Sequence, residues 1–203
     1  MEQNNYKNIK AGNDIYGKQR LELAIYLRDN ILNQLDNKWF IENGTLLGAW
    51  RNGKFIVHDD DFDIAILIDS LEEIAIIYNK INNLIKNKYK IRLINTYASK
   101  IEVFDESYGK YILAGPKYNK SDFHYITVDL QFYLKKGNLY ESLYYIVNNK
   151  ILINEDAILP LKTINLEGEL FNSPHQTTIF LENNYGSLDS NSKYNPLTEK
   201  YEI

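Results

Sequence analysis

A short apolar run directly after a group of carboxylates constrains the fold of this chain more than any other feature. Residues 64–68 read Ile-Ala-Ile-Leu-Ile, and all but one of residues 59–63 are aspartates. Because side chains alternate between the two faces of a strand, this run would be apolar on both faces. Such a strand is typical of the covered centre of a sheet. The sequence therefore predicts a central strand with acids at its entrance.

Hydrophobic periodicity and turn residues predict helices and strands along most of the chain. The predicted helices are 18–35, a compact turn at 45–50, a segment from the Ser70–Glu73 capping box to about 86, 139–148, and a segment from Ser173-Pro174 to Tyr185-Gly186. The predicted strands are 38–42, 55–68, 89–95, 99–104, 110–114 and 125–134. The tail after Ser187 has little pattern. Without a repeat, linker or change in composition, we expect residues 1–203 to form a single domain with a core at about 20–188 and polar tails.

Composition and charge exclude several classes of function. The chain has no cysteine, so it has neither disulfides nor thiolate metal sites. Its net charge of -4 argues against a nucleic-acid partner, which would require a basic excess. Residues 1–10 lack the apolar core of a signal peptide, and no apolar run approaches the roughly 20 residues of a membrane span. We therefore expect a soluble, cytoplasmic protein without a membrane span; its oligomeric state stays open.

The acidic group at 59–63 is the first candidate site. A solvated loop is the ordinary explanation for acidic runs, but this one lies between Phe55-Ile56-Val57 and the apolar run, where water is scarce. Partly buried like charges must protonate, pair or bind cations. Asp61 and Asp63 lie two residues apart and therefore point to the same side of a strand. Carboxylates in this arrangement can hold Mg²⁺ or Mn²⁺ beside substrate phosphates.

Two further features strengthen this interpretation. Gly44-Thr45 leads into a predicted helix, whose N-terminal N–H groups and dipole favour an anion, although such turns are more often only helix starts. Asp129 lies on the polar face of a strand that is otherwise apolar, where it is either a third acid or a satisfied edge residue. Turn, acid pair and third acid in this order are typical of a nucleotidyltransferase-type fold. We therefore predict a metal–phosphate site with Asp61, Asp63 and Asp129 as its carboxylates.

Basic residues nearby are candidates for phosphate contacts. Arg51 and Lys54 lie between the turn and the acids, where they either neutralise phosphate or balance the aspartates. His58 is a candidate for a phosphate contact or proton transfer, with structural pairing to an aspartate as the alternative. Lys162 is a weaker candidate, as are His124 and His175.

Several of these segments together resemble the signature of the LicD family. Residues 44–51 read Gly-Thr-Leu-Leu-Gly-Ala-Trp-Arg, residues 55–56 read Phe-Ile, and residues 59–64 read Asp-Asp-Asp-Phe-Asp-Ile. The likeness continues through Val128-Asp129-Leu130, Leu159-Pro160-Leu161-Lys162, Pro174, Leu181 and Tyr185-Gly186. It covers roughly residues 20–188. The family includes bacterial phosphocholine transferases and the fukutin-related ribitol-phosphate transferases.

The resemblance implies a fold, an activity and site residues. It implies a nucleotidyltransferase-like α/β (α+β) fold, with a mixed β-sheet flanked by helices. It implies transfer of a phospho-alcohol group from a CDP-activated donor to a sugar or glycan hydroxyl, with Mg²⁺ or Mn²⁺. By position, Asp61 and Asp63 would be metal ligands, Asp129 the third acid and Arg51 a phosphate contact. Val57-His58 and Ser187-Leu188 depart from the family pattern, which leaves the choice of donor and acceptor open.

Three other functions remain open at this point. A nucleotidyltransferase would move the nucleoside monophosphate itself and release pyrophosphate. A non-catalytic domain would bind nucleotide or glycan without turnover, but its sequence would then be expected to have lost the acidic residues. A glycosyltransferase with the same acid pair fits less well, because those enzymes usually place about 100 residues before it. The donor alcohol, the nucleotide and the acceptor are not identified by the sequence.

Overall fold

A computed structural model of the chain describes residues 13–56, 59, 61–95, 99–113, 121–144, 151–189, 193–195 and 200–202. The helices are α1 (Asn13–Asn30), α2 (Asn43–Asn52), α3 (Glu72–Leu84), α4 (Glu155–Ile158) and α5 (Thr177–Tyr185), with a 3-10 helix at Leu32–Gln34. The first strands are β1 (Trp39–Ile41), β2 (Phe62–Ile68), β3 (Lys90–Ile94), β4 (Lys100–Leu113), β5 (Ser121–Lys136) and β6 (Leu139–Ser142). The remaining strands are β7 (Leu152–Asn154), β8 (Lys162–Leu166), β9 (Glu169–Ser173), β10 (Lys193–Asn195) and β11 (Lys200–Glu202).

The described strands form one large mixed sheet and two small hairpins. The large sheet has the order β1-β2-β5-β4-β3, and β6 joins it by pairing with both β5 and β7. β2 runs parallel to β5, and the other pairs in this sheet are antiparallel. The pairs β8–β9 and β10–β11 are separate. This curled sheet with its helices confirms the predicted mixed α/β fold.

The strand register separates an apolar face of the sheet from a polar one. Paired residues of adjacent strands lie on the same face. Phe62 pairs with Val128 and Ile64 pairs with Leu130, so large apolar side chains line one face. Asp63 pairs with Asp129, which places these two carboxylates side by side on the other face. Every residue of β2 is buried, as predicted for a central strand that is covered on both sides.

Both faces are covered. α1 packs against β2, β4 and β5 on the apolar face, where the ring of Phe171 also lies 5.2 Å from that of Phe62. On the polar face the Phe180 ring of α5 makes an edge contact with Phe40, with the centroids 5.2 Å apart. It also lies 6.2 Å from the Tyr133 ring. The cover from α5 explains why polar side chains on this face are buried.

Several elements differ from their predicted form. The predicted helix at 139–148 is wrong at its start, because residues 139–142 pair with the end of β5 as β6; residues 145–150 lie outside the described part. The strands predicted at 99–104 and 110–114 form a single strand, β4, with a register shift between Phe104 and Gly109. The strand predicted at 55–68 begins only at Phe62. The helix expected at Ser173 begins at Thr177, because Ser173 ends β9.

The tail also contains structure that was not predicted, namely the β10–β11 hairpin. Among the described residues, no helix combines the length and the apolar character that crossing a membrane requires.

Candidate functional site

Three of the predicted carboxylates converge at the start of β2. Asp61, Asp63 and Asp129 each offer a carboxylate oxygen, and these atoms lie within 4.8 Å of one another. The parallel register of β2 and β5 produces this arrangement, because Asp63 lies directly opposite Asp129. Asp63 and Asp129 are buried, whereas Asp61 is only half-buried at the entrance of the strand.

Two side chains hold Asp63 in place. Its backbone N–H donates to the Thr45 hydroxyl oxygen over 3.0 Å, and both residues are buried. The Gln131 amide of β5 donates to Asp63 Oδ1 over 2.7 Å. Thr45 belongs to the predicted Gly-Thr turn, so its side chain connects the start of α2 directly to the acid pair. Gln131 was not predicted as a site residue.

Asp129 is held by a buried lysine. Lys100 of β4 donates from Nζ to Asp129 Oδ2, and its Nζ lies 3.0 Å from Glu102 Oε1. Arg92 of β3 donates to the other Glu102 oxygen. Asp129 Oδ1 is buried and has no hydrogen-bond partner among the described residues. One oxygen of Asp129 is therefore neutralised by the protein, and the other is left for a ligand.

Another buried acid, Glu42, lies beside this group. Glu42 follows β1, and its backbone N–H donates to the Asp63 carbonyl over 3.1 Å. The Tyr133 hydroxyl donates to Glu42 Oε2 over 2.6 Å. Burial raises the pKa of Glu42 to about 8, and the Tyr133 hydrogen bond opposes this rise only in part. Glu42 therefore carries a proton through much of the neutral range.

The chain turns sharply between Glu42 and α2. Asn43 has φ 48°, a left-handed conformation that asparagine tolerates better than most residues. A Cβ on Gly44 would lie 2.6 Å from Asp59 Oδ2, so only glycine allows the Asp59 carboxylate to pack there. The acidic segment thus meets the N-terminus of α2, where the dipole favours negative charge.

The segment between α2 and the acids is held close to the helix. A Cβ on Gly48 would lie 2.4 Å from the Lys54 carbonyl oxygen, so glycine permits the chain to fold back. Arg20 of α1 is buried, stacks over the Phe55 ring at 4.1 Å and donates to the Asp59 carbonyl over 2.8 Å. Arg20, which lies on the apolar side of the sheet, thus holds Asp59 beside the acidic site.

Burial and mutual repulsion act on Asp63 and Asp129. Burial, followed by the charge of Asp61, raises the pKa of Asp129 to about 7, although Lys100 opposes the rise. Burial and the neighbouring carboxylates raise the pKa of Asp63 well above its ordinary value. Burial lowers the pKa of Lys100, but the charges of Asp129 and Glu102 outweigh this effect and raise it. The lysine therefore stays charged.

These residues fit a divalent cation. The donor set is made of carboxylates, which Mg²⁺ and Mn²⁺ prefer. A cation would relieve the repulsion that raises the pKa values of Asp63 and Asp129, and it would satisfy Asp129 Oδ1. The acidic group of Asp61, Asp63 and Asp129 can therefore hold a metal ion.

The predicted basic residues are distributed differently. Lys54 Nζ lies 3.0 Å from Glu167 Oε2 in the β8–β9 turn, a pairing that the sequence did not indicate. Arg51 is exposed in the last turn of α2, and Lys162 is exposed at the start of β8. His58 lies outside the described residues. The structure therefore brings Gly44 and Thr45 to the acids. Within its described part it shows no contact between the acids and the basic side chains of Arg51, Lys54 or Lys162.

Sequence reasoning missed several residues of the site. Lys100, Gln131 and Glu42 are polar residues within or next to apolar strands, and that alternation was their only signal. Tyr185 is a further case: its pKa is raised well above the ordinary value, first by burial and then by the charges of Asp63 and its neighbours. Its place in the closing Tyr185-Gly186 segment could have indicated a position at the site.

Comparison with known proteins assigns the chain to a family. The model of the LicD/FKTN/FKRP nucleotidyltransferase domain matches residues 36–176, which include α2, β2 and β5. No curated protein matches the chain significantly. The match covers most of the chain and contains all three converging carboxylates. The chain therefore belongs to the LicD/FKTN/FKRP family of nucleotidyltransferase domains, and this membership indicates a transferase of the phosphotransferase type.

Proposed function

We propose that this chain is a metal-dependent transferase that moves a phospho-alcohol group from a CDP-activated donor to a glycan hydroxyl. Phosphocholine and ribitol phosphate are the leading candidates for the transferred group. The observation that carries the proposal is the convergence of Asp61, Asp63 and Asp129 beside the N-terminus of α2. A bound Mg²⁺ or Mn²⁺ would neutralise charge on the donor diphosphate as the leaving group departs.

The residues of the chain would bind and orient the reacting groups. Asp61, Asp63 and Asp129 would hold the cation. Thr45 and Gln131 keep Asp63 in position by the hydrogen bonds described above. Because phosphoryl transfer depends mainly on positioning and charge neutralisation, this support is the main contribution that the fold makes to the reaction.

Donor phosphate would be bound by groups at the start of α2 and by cations around it. The N–H groups of Gly44 and Thr45 would face a phosphate oxygen. Arg51, Lys54 and Lys162, with His58, would supply further contacts. Lys54 would first have to leave its ion pair with Glu167, which is exposed enough to exchange readily.

Asp129 suits the role of a ligand better than that of a general base. Its Oδ2 is occupied by the hydrogen bond from the Lys100 ammonium, whose charge also opposes part of the rise in the pKa of Asp129. Its Oδ1 has no hydrogen-bond partner among the described residues. A carboxylate with one oxygen fixed and the other available is oriented for binding a cation.

Product analysis tests the proposal. CDP-choline, CDP-ribitol and CDP-glycerol are incubated with the protein, Mn²⁺ and a glycan panel, and the release of CMP is measured. Asp63→Asn should reduce turnover by about a hundredfold or more, because it removes a charged group at the reacting centre. Asp36→Asn, on the exposed connection before β1, should retain full turnover.

The same assay distinguishes the alternatives. Release of pyrophosphate from a nucleoside triphosphate would instead identify transfer of the nucleoside monophosphate. Tight metal-dependent binding of CDP compounds without turnover would identify a binding domain. Wild-type turnover in Asp63→Asn would contradict the assigned site.

A further inference from the structure

Lys100 lies inside the carboxylate group, although no property of an isolated lysine in a strand indicates this. Its side chain is 8% exposed, and its ammonium contacts the carboxylates of Asp129 and Glu102. Burial of a lysine is costly unless the charge is paired and hydrogen-bonded. Here both partners are buried as well, so the lysine and its acids form one charge group within the sheet.

The strand register explains how Lys100 reaches the site. Lys100 pairs with Gln131, and Glu102 pairs with Asp129, so all four residues lie on the polar face of the sheet. Gln131 and Lys100 are thus neighbours across the β4–β5 ladder. Gln131 donates to Asp63 Oδ1, and Lys100 donates to Asp129 Oδ2. Each of the two buried ligands therefore has one oxygen bound by a donor of the protein.

This arrangement limits the charge available to cations. The three converging carboxylates and the neighbouring Asp59 carry the negative charge of the site, and the Lys100 ammonium cancels part of it. Glu102 does not restore that charge, because Arg92 also pairs with it. A site for two metal ions about 3.5–4 Å apart uses carboxylates that share their oxygens between the ions. Asp129 cannot share in this way while Oδ2 is bound to an ammonium.

We propose that Lys100 restricts the carboxylate group to a single divalent cation and holds Asp129 with Oδ1 directed to that cation. Lys100 is in this respect a positioning residue, and its ammonium takes the place that a second cation would have beside Asp129. The inference rests on the proposed function, since it concerns the metal site on which that function depends. The unpartnered Oδ1 of Asp129, buried with its residue only 2% exposed, is the independent sign of a ligand at this position.

Counting bound Mn²⁺ on the full chain tests the inference without any variant. Mn²⁺ is titrated into the protein, and binding is measured by calorimetry and by electron paramagnetic resonance. The resonance signal reports free Mn²⁺ and reveals coupling between two close ions. The wild-type chain should bind a single Mn²⁺ at this site, both alone and with CDP. A pair of coupled ions in the wild type would overturn the inference and leave the proposed function standing. Absence of any Mn²⁺ binding would overturn both.

Variants then test the assignment to Lys100. Lys100→Met should admit a second Mn²⁺, because it releases Asp129 Oδ2 and removes the positive charge. Lys100→Arg should restore binding of a single ion. Lys135 lies away from the site, and its Nζ is 2.8 Å from Glu155 Oε1. Lys135→Met should therefore behave as wild type. A folded Lys100→Met protein that binds one Mn²⁺ with unchanged affinity would overturn the role of Lys100. If that variant does not fold, the wild-type count and Lys100→Arg decide.

Discussion

Glu42 offers the sharpest test of the buried charges, through the variant Glu42→Gln. The Glu42 carboxyl is fully buried, and its pKa rises from an ordinary 4.5 to about 8. The folded chain binds this proton more tightly than the unfolded chain. The contribution of Glu42 to the free energy of unfolding is therefore fully present below about pH 4.5 and is lost as pH rises toward about 8. At about 1.4 kcal/mol per pH unit, ionising Glu42 in the folded chain costs up to about 5 kcal/mol.

Glutamine removes this cost and keeps the shape. Its carbonyl oxygen can still accept the hydrogen bond that Tyr133 donates over 2.6 Å. The free energy of unfolding is measured in urea, on metal-free protein, from about pH 5 to about pH 9. We expect Glu42→Gln and the wild type to be similar at the acidic end, and the variant to be more stable by several kcal/mol at the alkaline end.

The control for removing a carboxylate is Glu22→Gln, at an exposed position in α1. Its free energy of unfolding, plotted against pH, should run parallel to that of the wild type across the whole range. If the curve of Glu42→Gln also ran parallel to the wild type, the reasoning on desolvation of Glu42 would be refuted.

Three further predictions concern the support of the site. Thr45→Val should lower the free energy of unfolding by about 1–3 kcal/mol in urea denaturation, because it leaves the buried Asp63 N–H without its acceptor. If Thr45→Val also weakens Mn²⁺ affinity, Thr45→Ser should restore that affinity, because serine keeps the hydroxyl. Gly48→Ala should destabilise the chain by at least about 1–3 kcal/mol, since its Cβ would lie 2.4 Å from the Lys54 carbonyl oxygen, and an equal melting temperature for both proteins would contradict this. Mn²⁺ should raise the melting temperature more at about pH 8 than at about pH 6, because deprotonated Asp63 and Asp129 bind it, and Asp129→Asn should abolish most of that rise.

The central strand and the acids at its entrance could be predicted from the sequence because local patterns determine them. A run that is apolar on both faces has few stable positions other than the centre of a covered sheet, and β2 lies there. The alternation in residues 125–134 likewise indicated the polar face on which Asp129 lies. These signals depend on residues close together in the chain, so no knowledge of the partner strand was needed.

The residues that support the acids could not be predicted in the same way. Lys100 reaches Asp129 only because β4 pairs with β5 in one particular register, and that register is a long-range property. From the sequence alone, Lys100 is an ordinary polar residue at the start of a strand. Gln131 and Glu42 are similar cases, since their partners lie 68 and 91 residues away.

The wrong helix at 139–148 has a related cause. Tyr140 and Leu143 are both buried, and their spacing fits one face of a helix. β4 begins at Lys100, opposite Gln131, so β5 extends beyond β4 on that side and offers an open edge at Tyr133–Lys136, to which residues 139–142 pair. The hydrogen bonds of that edge decide the structure of the segment, because an unpaired strand edge is unfavourable. Tertiary pairing thus overrode a local helical pattern.

The position of the acids also relates stability to function. Glu42, Asp63 and Asp129 are buried on one face of the sheet, and burial raises the pKa of each. A chain selected only for stability would replace such residues with apolar ones. Because a cation that binds the folded chain returns part of this cost, folding and metal binding are thermodynamically linked. Glu42 differs from the other two, since it is hydrogen-bonded to Tyr133 and is not among the three converging acids. Its cost should therefore persist when the cation is bound, which is why Glu42→Gln should stabilise the metal-bound chain at alkaline pH as well.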